Sequence, residues 1–167
     1  MTAVGDPGRG VLAPGEIALV GREQGAVALR SLPVGTRVGI DYALRPTSGI
    51  APAFAVGGCP ILRGRVPVGG LDTKERMPRS AVAVSAGGRR LHLVTVDGRH
   101  ASSVGLTLAQ LGTLLAEMGA DDAVNLDGGG SSTLVYRAPG AGAVTVVNNP
   151  SDRSSRLVPN GIGVRAG

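Results

Sequence analysis

Residues 91–133 read LHLVTVDGRHASSVGLTLAQLGTLLAEMGADDAVNLDGGGSST, and this stretch decides the fold. The apolar run Leu91–Val96 predicts a strand, Leu108–Met118 predicts a helix, and Ala123–Leu126 predicts a second strand. A strand, a helix and a short loop before the next strand are typical of a crossover unit, whose two strands run parallel in one sheet. Both strands then end at the same sheet edge, which is where ligands usually bind in open α/β sheets.

The helix of this unit carries its own start and stop signals. Thr107 is a suitable N-cap residue, and Gln110 completes a capping box with it. Leucines follow at helical spacing, and Gly119 comes where a positive φ commonly ends a helix. The sequence therefore predicts one clear helix near residues 108–118.

Short apolar runs separated by turn residues lie on both sides of this unit. Ala81–Ser85 and Leu91–Val96 predict a hairpin, and Leu134–Tyr136 predicts a further strand. We expect an α/β or α+β fold with a mixed β-sheet, glycine-rich turns and few flanking helices. The polar stretch 63–79 predicts a long loop. Further strands are predicted at Ile17–Val20, Ala26–Leu29, Val38–Leu44 and Ala53–Val56.

Length and composition narrow the organisation of the chain. The 167 residues suit one domain, so we expect a flexible segment over 1–15 and a single domain over 16–167. No apolar run approaches the roughly 20 residues of a membrane helix, so stable membrane insertion is not expected. The single cysteine excludes an internal disulfide. The N-terminus shows no signal peptide, which predicts a cytoplasmic location for the chain as written.

The basic charge invites a nucleic-acid partner, but the residue types argue against one. The formal net charge is +5, and Lys74 is the only lysine. The arginines are scattered, and aromatic residues make up 2% of the chain, too few to stack bases. We therefore expect no nucleic-acid partner and leave the oligomeric state open.

The strongest local signal is the stretch Asn125–Thr133, NLDGGGSST. A flexible linker is disfavoured, because predicted strands lie directly on both sides of it; a wide hairpin turn stays an alternative. The functional hypothesis is a backbone cradle, in which glycines let the chain approach an anion and successive N–H groups bind it. Asp127 would then stand beside the cradle. The binding candidates here are Asn125, Gly128, Gly129, Gly130, Ser131 and Ser132.

The second signal is Asp97-Gly98-Arg99 at the end of the strand Leu91–Val96. Two carboxylates at one sheet edge, from Asp97 and Asp127, are what glycoside hydrolysis often uses. A serine hydrolase is the rival interpretation, with Ser131 or Ser132 activated by a histidine, but no Gly-x-Ser-x-Gly elbow is present. No cofactor is predicted. Carboxylate and amide oxygens at this edge are suitable ligands for a divalent cation, so binding of such an ion stays an alternative.

Together these motifs resemble the phosphodiester glycosidase family. The resemblance rests on the Asp-Gly-Gly-Gly-Ser-Ser string in its context and covers about residues 78–164 well. Members usually carry an upstream Phe-Phe segment after an export signal, whereas this chain has Phe54 as its only phenylalanine. The resemblance therefore implies a chain that begins inside the family's domain, and secretion if an upstream segment exists. The other matching pieces are Pro78–Ala81, Val96–Arg99, Gly105–Thr107, Asn148–Pro150, Arg156 and Pro159–Ile162.

The resemblance implies hydrolysis of the glycosidic bond of a sugar-1-phosphodiester in a small molecule or glycan. A departing phosphate needs cationic or N–H stabilisation, and the anomeric carbon needs a carboxylate nearby. A non-catalytic chain that binds phosphosugars or polyanionic glycans is the alternative. The expected catalytic residues are Asp127, Asp97, Arg79 and Arg99, and Asn149 and Arg156 join the binding candidates above.

Overall fold

The structure is a computed structural model that describes residues 11–41, 43–44, 46–50, 52–152 and 156–165. The chain divides into two compact units, Met1–Ala55 and Val56–Gly167. The flexible segment predicted for 1–15 lies mostly outside the described residues, and the single domain over 16–167 stays a prediction. The elements are α1 (Gln24–Arg30), β1 (Cys59–Arg63), β2 (Val66–Pro67), β3 (Arg79–Ser85), β4 (Arg90–Val96), α2 (Leu108–Glu117), β5 (Asp122–Asn125), a 3-10 helix (Gly129–Ser131), β6 (Val135–Tyr136) and β7 (Thr145–Val146).

The structure of the first unit differs from the strands predicted for it. Ala26–Leu29 lies inside helix α1 and is not a strand. The run is short and rich in alanine and leucine, both strong helix formers, so its apolar pattern does not separate the two structures. The described residues of the other three predicted strands pair with nothing, and Tyr42 lies outside the description. Alternating apolar residues form a strand only when a partner strand lies beside them.

The second unit is built on a five-stranded sheet in the order β2-β1-β5-β3-β4. All neighbouring strands in it are antiparallel. Strands β4 and β5 both pair with β3, so they run parallel to each other with β3 between them. The predicted crossover is confirmed in that form, and the α+β class with few helices is confirmed. Strands β6 and β7 form a separate two-stranded sheet.

Helix α2 covers one face of the five-stranded sheet. The Thr107 hydroxyl accepts from the Gln110 amide and the Gln110 side chain accepts from the Thr107 amide, each at 3.1 Å, so the capping box is confirmed. Gly119 has the expected positive φ, at 81°. Among the described residues no helix is long and apolar enough to span a membrane. The core consists of Ile61, Leu62, Ala81, Ala83, Leu111, Leu115, Ala120 and Ala123.

The loop predicted over 63–79 is shorter in the structure. Arg63 ends β1, residues 66–67 form β2, and Arg79 already begins β3. Val66 and Pro67 give too short a run to signal a strand, and their pairing with β1 depends on the intervening turn. The predicted hairpin is confirmed, since β3 pairs with β4 along its whole length.

One carboxylate joins two turns at the sheet end opposite Asp97. Asp121 accepts from the Arg65 guanidinium at 2.7 Å and from the Gly87 amide at 3.1 Å. It thereby ties the β1–β2 turn to the β3–β4 turn. The hydrogen bond from Arg65, followed by that from Gly87, lowers the pKa of the Asp121 carboxyl.

This lowered pKa predicts a pH dependence of stability. A carboxyl whose pKa is lower in the folded state stabilises the fold at pH values above its unfolded pKa, about 3.9. That stabilisation is lost as the pH falls through the pKa of the folded state. We expect Asp121→Asn to lower the urea midpoint of unfolding at pH 7. Near pH 2 we expect the variant and wild type to have the same urea midpoint. A midpoint difference that is equally large at both pH values would contradict this role of the charge.

Candidate active site

The ends of three strands bring the predicted catalytic residues to one edge of the sheet. Arg79 opens β3 and stands opposite Val96, the last residue of β4. Asp97 therefore follows at the same edge. Asn125 ends β5 two residues before Asp127, and its register partner on β3 is Ala81. The antiparallel pairing of β3 with both neighbours places these residues together, as the sequence predicted for the two aspartates.

Asp97 is held on both of its carboxylate oxygens. Its Oδ1 accepts from Asn148 Nδ2 and from the Asn149 amide, both at 3.0 Å, and its Oδ2 accepts from the same amide at 3.1 Å. Ser103 donates to its main-chain carbonyl. Asp97 and the predicted residue Asn149 are thus in direct contact. These bonds fix the orientation of the Asp97 carboxylate.

Asp127 has the opposite environment. Its side chain is exposed, and Oδ1 accepts from the Gly128 amide at 2.8 Å. That is its one hydrogen bond to the described residues, so its second oxygen faces solvent. Of the two predicted carboxylates, Asp127 is therefore the more exposed and has the fewer hydrogen bonds to the described residues.

The glycine loop folds as a single 3-10 turn over Gly129–Ser131. Gly129 has a φ of 62° and donates to Pro78 O at 3.0 Å, and the amides of Ser131 and Ser132 donate back into the loop. The Gly128 amide donates to Asp127. Four of the five amides of residues 128–132 therefore donate to acceptors within the protein. Of the successive N–H groups that the sequence predicted for the cradle, only the Gly130 amide lacks a bond to the described residues. Ligand binding by this loop stays a prediction.

Three glycines surround the main chain of Met77 and Pro78. A Cβ on Gly98 would lie 2.7 Å from Pro78 N, and one on Gly128 would lie 2.8 Å from Pro78 O. A Cβ on Gly105 would overlap the Met77 carbonyl. Real Cβ atoms do not come this close, so the ends of β3, β4 and β5 pack together only because these positions lack side chains.

Arg79 is buried, with 6% of its surface exposed. Its Nε donates to Leu106 O and its Nη2 donates to Glu75 O, each at 2.9 Å. Burial lowers the pKa of its guanidinium, while Glu75 and Asp72 act in the opposite direction. The observed bonds join two loops at the site, and a direct substrate contact by Arg79 stays a prediction.

Arg99 is exposed and lies against the glycine loop. Its residue has a φ of 59°, a left-handed conformation that is uncommon for a residue with a side chain. Its Nη1 lies 3.2 Å from the point that a Cβ on Gly129 would occupy. The described residues give its guanidinium no hydrogen bond or ion pair. Arg99 therefore places a positive charge beside the loop that Asp127 begins, with no partner among the described residues.

The remaining predicted residues line the inner side and the rim of this loop. Asn125 donates to Leu126 O at 2.6 Å, and its Oδ1 is buried without a partner among the described residues. Ser132 is 1% exposed, and its hydroxyl also lacks a partner there. Arg156 pairs with Asp152 at 3.6 Å, and the Asp152 carboxylate occupies the space that a Cβ on Gly130 would fill. Ser131 is half-buried.

Sequence reasoning assigned no role to Asn148 or Asp152, and it considered His100 only as a base in the rival serine-hydrolase interpretation. Asn148 and Asp152 flank the Asn149-Pro150 turn after β7, and His100 Nε2 lies 3.0 Å from Asn149 O. Since a carbonyl only accepts, that nitrogen carries the proton. The Asn148-Asn149-Pro150 motif was the one signal that marked this turn. Within the described ranges, no group of three or more His, Cys, Asp or Glu side chains is placed to hold a metal ion.

A search of curated proteins finds no match to this chain. Among solved structures, the chain is similar to a protein of Burkholderia pseudomallei K96243 described as exported, at 42% identity and a TM-score of 0.39. That match covers 46% of this chain and 14% of the other, so the chain spans a small part of that protein's length.

At this sheet edge an exposed carboxylate, a glycine loop and an arginine without a hydrogen bond to the described residues lie together. The model of one family, described as phosphodiester glycosidase, matches residues 4–165. The chain therefore belongs to the phosphodiester glycosidase family. Membership indicates a glycosidase-type hydrolase.

Proposed function

We propose that this protein hydrolyses the glycosidic bond of a sugar-1-phosphodiester. Water supplies the oxygen that bonds to the anomeric carbon, and the bond from that carbon to the phosphate oxygen breaks. The electron pair of that bond leaves with the phosphate, so the products are a free sugar and a phosphomonoester. Family membership supports this reaction, and the site supplies residues suited to it.

The observation that carries the proposal is the placement of Arg99 against the glycine loop that Asp127 begins. Asp127 binds the Gly128 amide, and Arg99 lies against Gly129. An uncommitted guanidinium can bind two phosphate oxygens, and it strengthens its interaction as charge develops on the leaving group. The buried Gly130 amide makes no hydrogen bond to the described residues and is a further candidate donor on the glycine loop. Together they favour departure of an anion.

Asp127 is the carboxylate suited to react. Its free oxygen can take the proton of the attacking water, or it can attack the anomeric carbon and be displaced by water in a second step. Asp97 is unsuited to either role, because amide donors occupy both of its oxygens. We therefore assign Asp97 to positioning. A phosphate leaves readily, so a strong general acid beside it is not required.

The test follows the oxygen of water. The protein is incubated with an N-acetylglucosamine-1-phosphodiester in ¹⁸O-labelled water, and both products are examined by mass spectrometry. Cleavage between carbon and oxygen places the label in the sugar; cleavage between phosphorus and oxygen places it in the phosphomonoester. Label in the phosphate would replace the glycosidase proposal with a phosphodiesterase. Binding of the diester without turnover would favour the non-catalytic alternative.

A further inference from the structure

We propose that Asn148 is a positioning residue for this reaction, and that it fixes the distance between the end of β4 and the glycine loop. The inference rests on the proposed function, since it concerns how that site is held. Asn148 follows β7, far along the chain from both segments that it joins. It has no place among the predicted site residues.

Both the nitrogen and the oxygen of the Asn148 carboxamide make hydrogen bonds. Its Nδ2 donates to Asp97 Oδ1 at 3.0 Å and to Ser132 O at 2.9 Å. Its Oδ1 accepts from the Leu134 amide at 2.8 Å. An amide group offers two donors and an acceptor, so one side chain satisfies three groups on two separate segments. All three bonds are partly buried, where a polar group left without a partner is destabilising.

The small sheet explains why Asn148 reaches this place. Val135 and Tyr136 pair with Val146 and Thr145, and the Val147 amide continues the ladder to Leu134 O. This pairing returns the chain to the loop from which it started. Asn148 is the next residue, so it arrives beside Leu134 with its side chain between the loop and Asp97.

The consequence for catalysis follows from what each segment carries. Asp97 is two residues before Arg99, which supplies the positive charge. Ser132 ends the loop that Asp127 begins. Asn148 is the described side chain that hydrogen-bonds to both segments. It therefore sets the placement of the guanidinium relative to the reacting carboxylate. Misplacement of reacting groups by about 1 Å can cost on the order of 10²-fold in rate.

The discriminating variant is Asn148→Asp. The introduced carboxylate keeps the acceptor for Leu134 but cannot donate to Asp97 or Ser132, and it faces the Asp97 carboxylate directly. Two carboxylates in contact raise the pKa of one of them, so a shared proton restores one bond at lower pH. We expect kcat at pH 7 to fall by about 10²-fold, with KM changed much less. We also expect part of this loss to be recovered towards pH 5.

The control is Asn160→Asp, which adds the same charge at an exposed asparagine. Wild type, control and variant are measured at every pH, so that any effect of the neighbouring groups His100 and Asp127 is common to all three. An unchanged kcat in Asn148→Asp would overturn the proposal. So would a loss that does not vary with pH and follows the fraction of unfolded protein.

A second measurement separates this proposal from the proposed function. Amide hydrogen exchange is recorded for wild type and Asn148→Asp without substrate. We expect faster exchange at Ser132, Leu134 and Asn149, with unchanged exchange in β3 and β5. If wild type shows no turnover, the proposed function fails and exchange alone decides the role of Asn148. Unchanged exchange at those three amides would then refute it.

Discussion

Replacing Asp127 by asparagine is expected to lower the rate of sugar release by about 10²–10⁴-fold. The asparagine side chain keeps an oxygen that can accept from the Gly128 amide, so the loop should retain its conformation. It lacks the charge and basicity that the reaction needs. The measurement is release of free sugar from the glycosyl phosphodiester, with circular dichroism to verify the fold.

The matched control for Asp127→Asn is Asp122→Asn. Asp122 is an exposed carboxylate at the start of the same strand, and it accepts one main-chain hydrogen bond, from Gly64. The substitution removes the same charge at the opposite end of β5. Turnover near the wild-type value is expected for it. Equal turnover in both variants would remove Asp127 from the mechanism.

The second large effect is expected from Gly105→Ala. Gly105 has a φ of 87°, and a Cβ there would overlap the carbonyl of Met77, which is rigid main chain. Overpacking costs about 1–3 kcal/mol or more, and the left-handed conformation adds about 1–2 kcal/mol. We expect a loss of roughly 3 kcal/mol or more in the free energy of unfolding, together with loss of activity.

Gly119→Ala separates the two contributions. Gly119 has a similar φ of 81°, but no atom lies within 4 Å of the position of its added Cβ. Only the conformational cost remains, about 1–2 kcal/mol. Urea unfolding of both variants measures the difference. If the two glycine substitutions destabilise the protein equally, close packing around Met77 is not what requires Gly105.

Local signals in the sequence predicted the second unit well. The capping box at Thr107, the hairpin of β3 and β4, and the strand before Asp127 each depend on residues close together in the chain. Their order then fixed which edge Asp97 and Asp127 share. In the first unit the same reasoning predicted strands from short apolar runs, and the Ala26–Leu29 segment is helical.

The details of the site could not be predicted, because they depend on contacts between distant segments. The residue types of Gly128–Gly130 fit an anion nest. However, two of the amides that such a nest needs already donate hydrogen bonds, one to the Pro78 carbonyl and one to the Asp127 carboxylate. The resemblance implied a catalytic role for Arg79, and the structure adds that its guanidinium donates to two main-chain carbonyls. Spacing along the chain contains no information about such partners.

The bond between Asn148 and Asp97 has a consequence for the order of folding. It joins residues 51 positions apart, whereas the β3–β4 hairpin and helix α2 need only near neighbours. Contacts between distant residues form late, since closing the intervening chain costs conformational entropy before the contact is gained. The hairpin and the helix can therefore exist in a chain that still has no site. The proposed site is therefore expected to form in the last stage of folding.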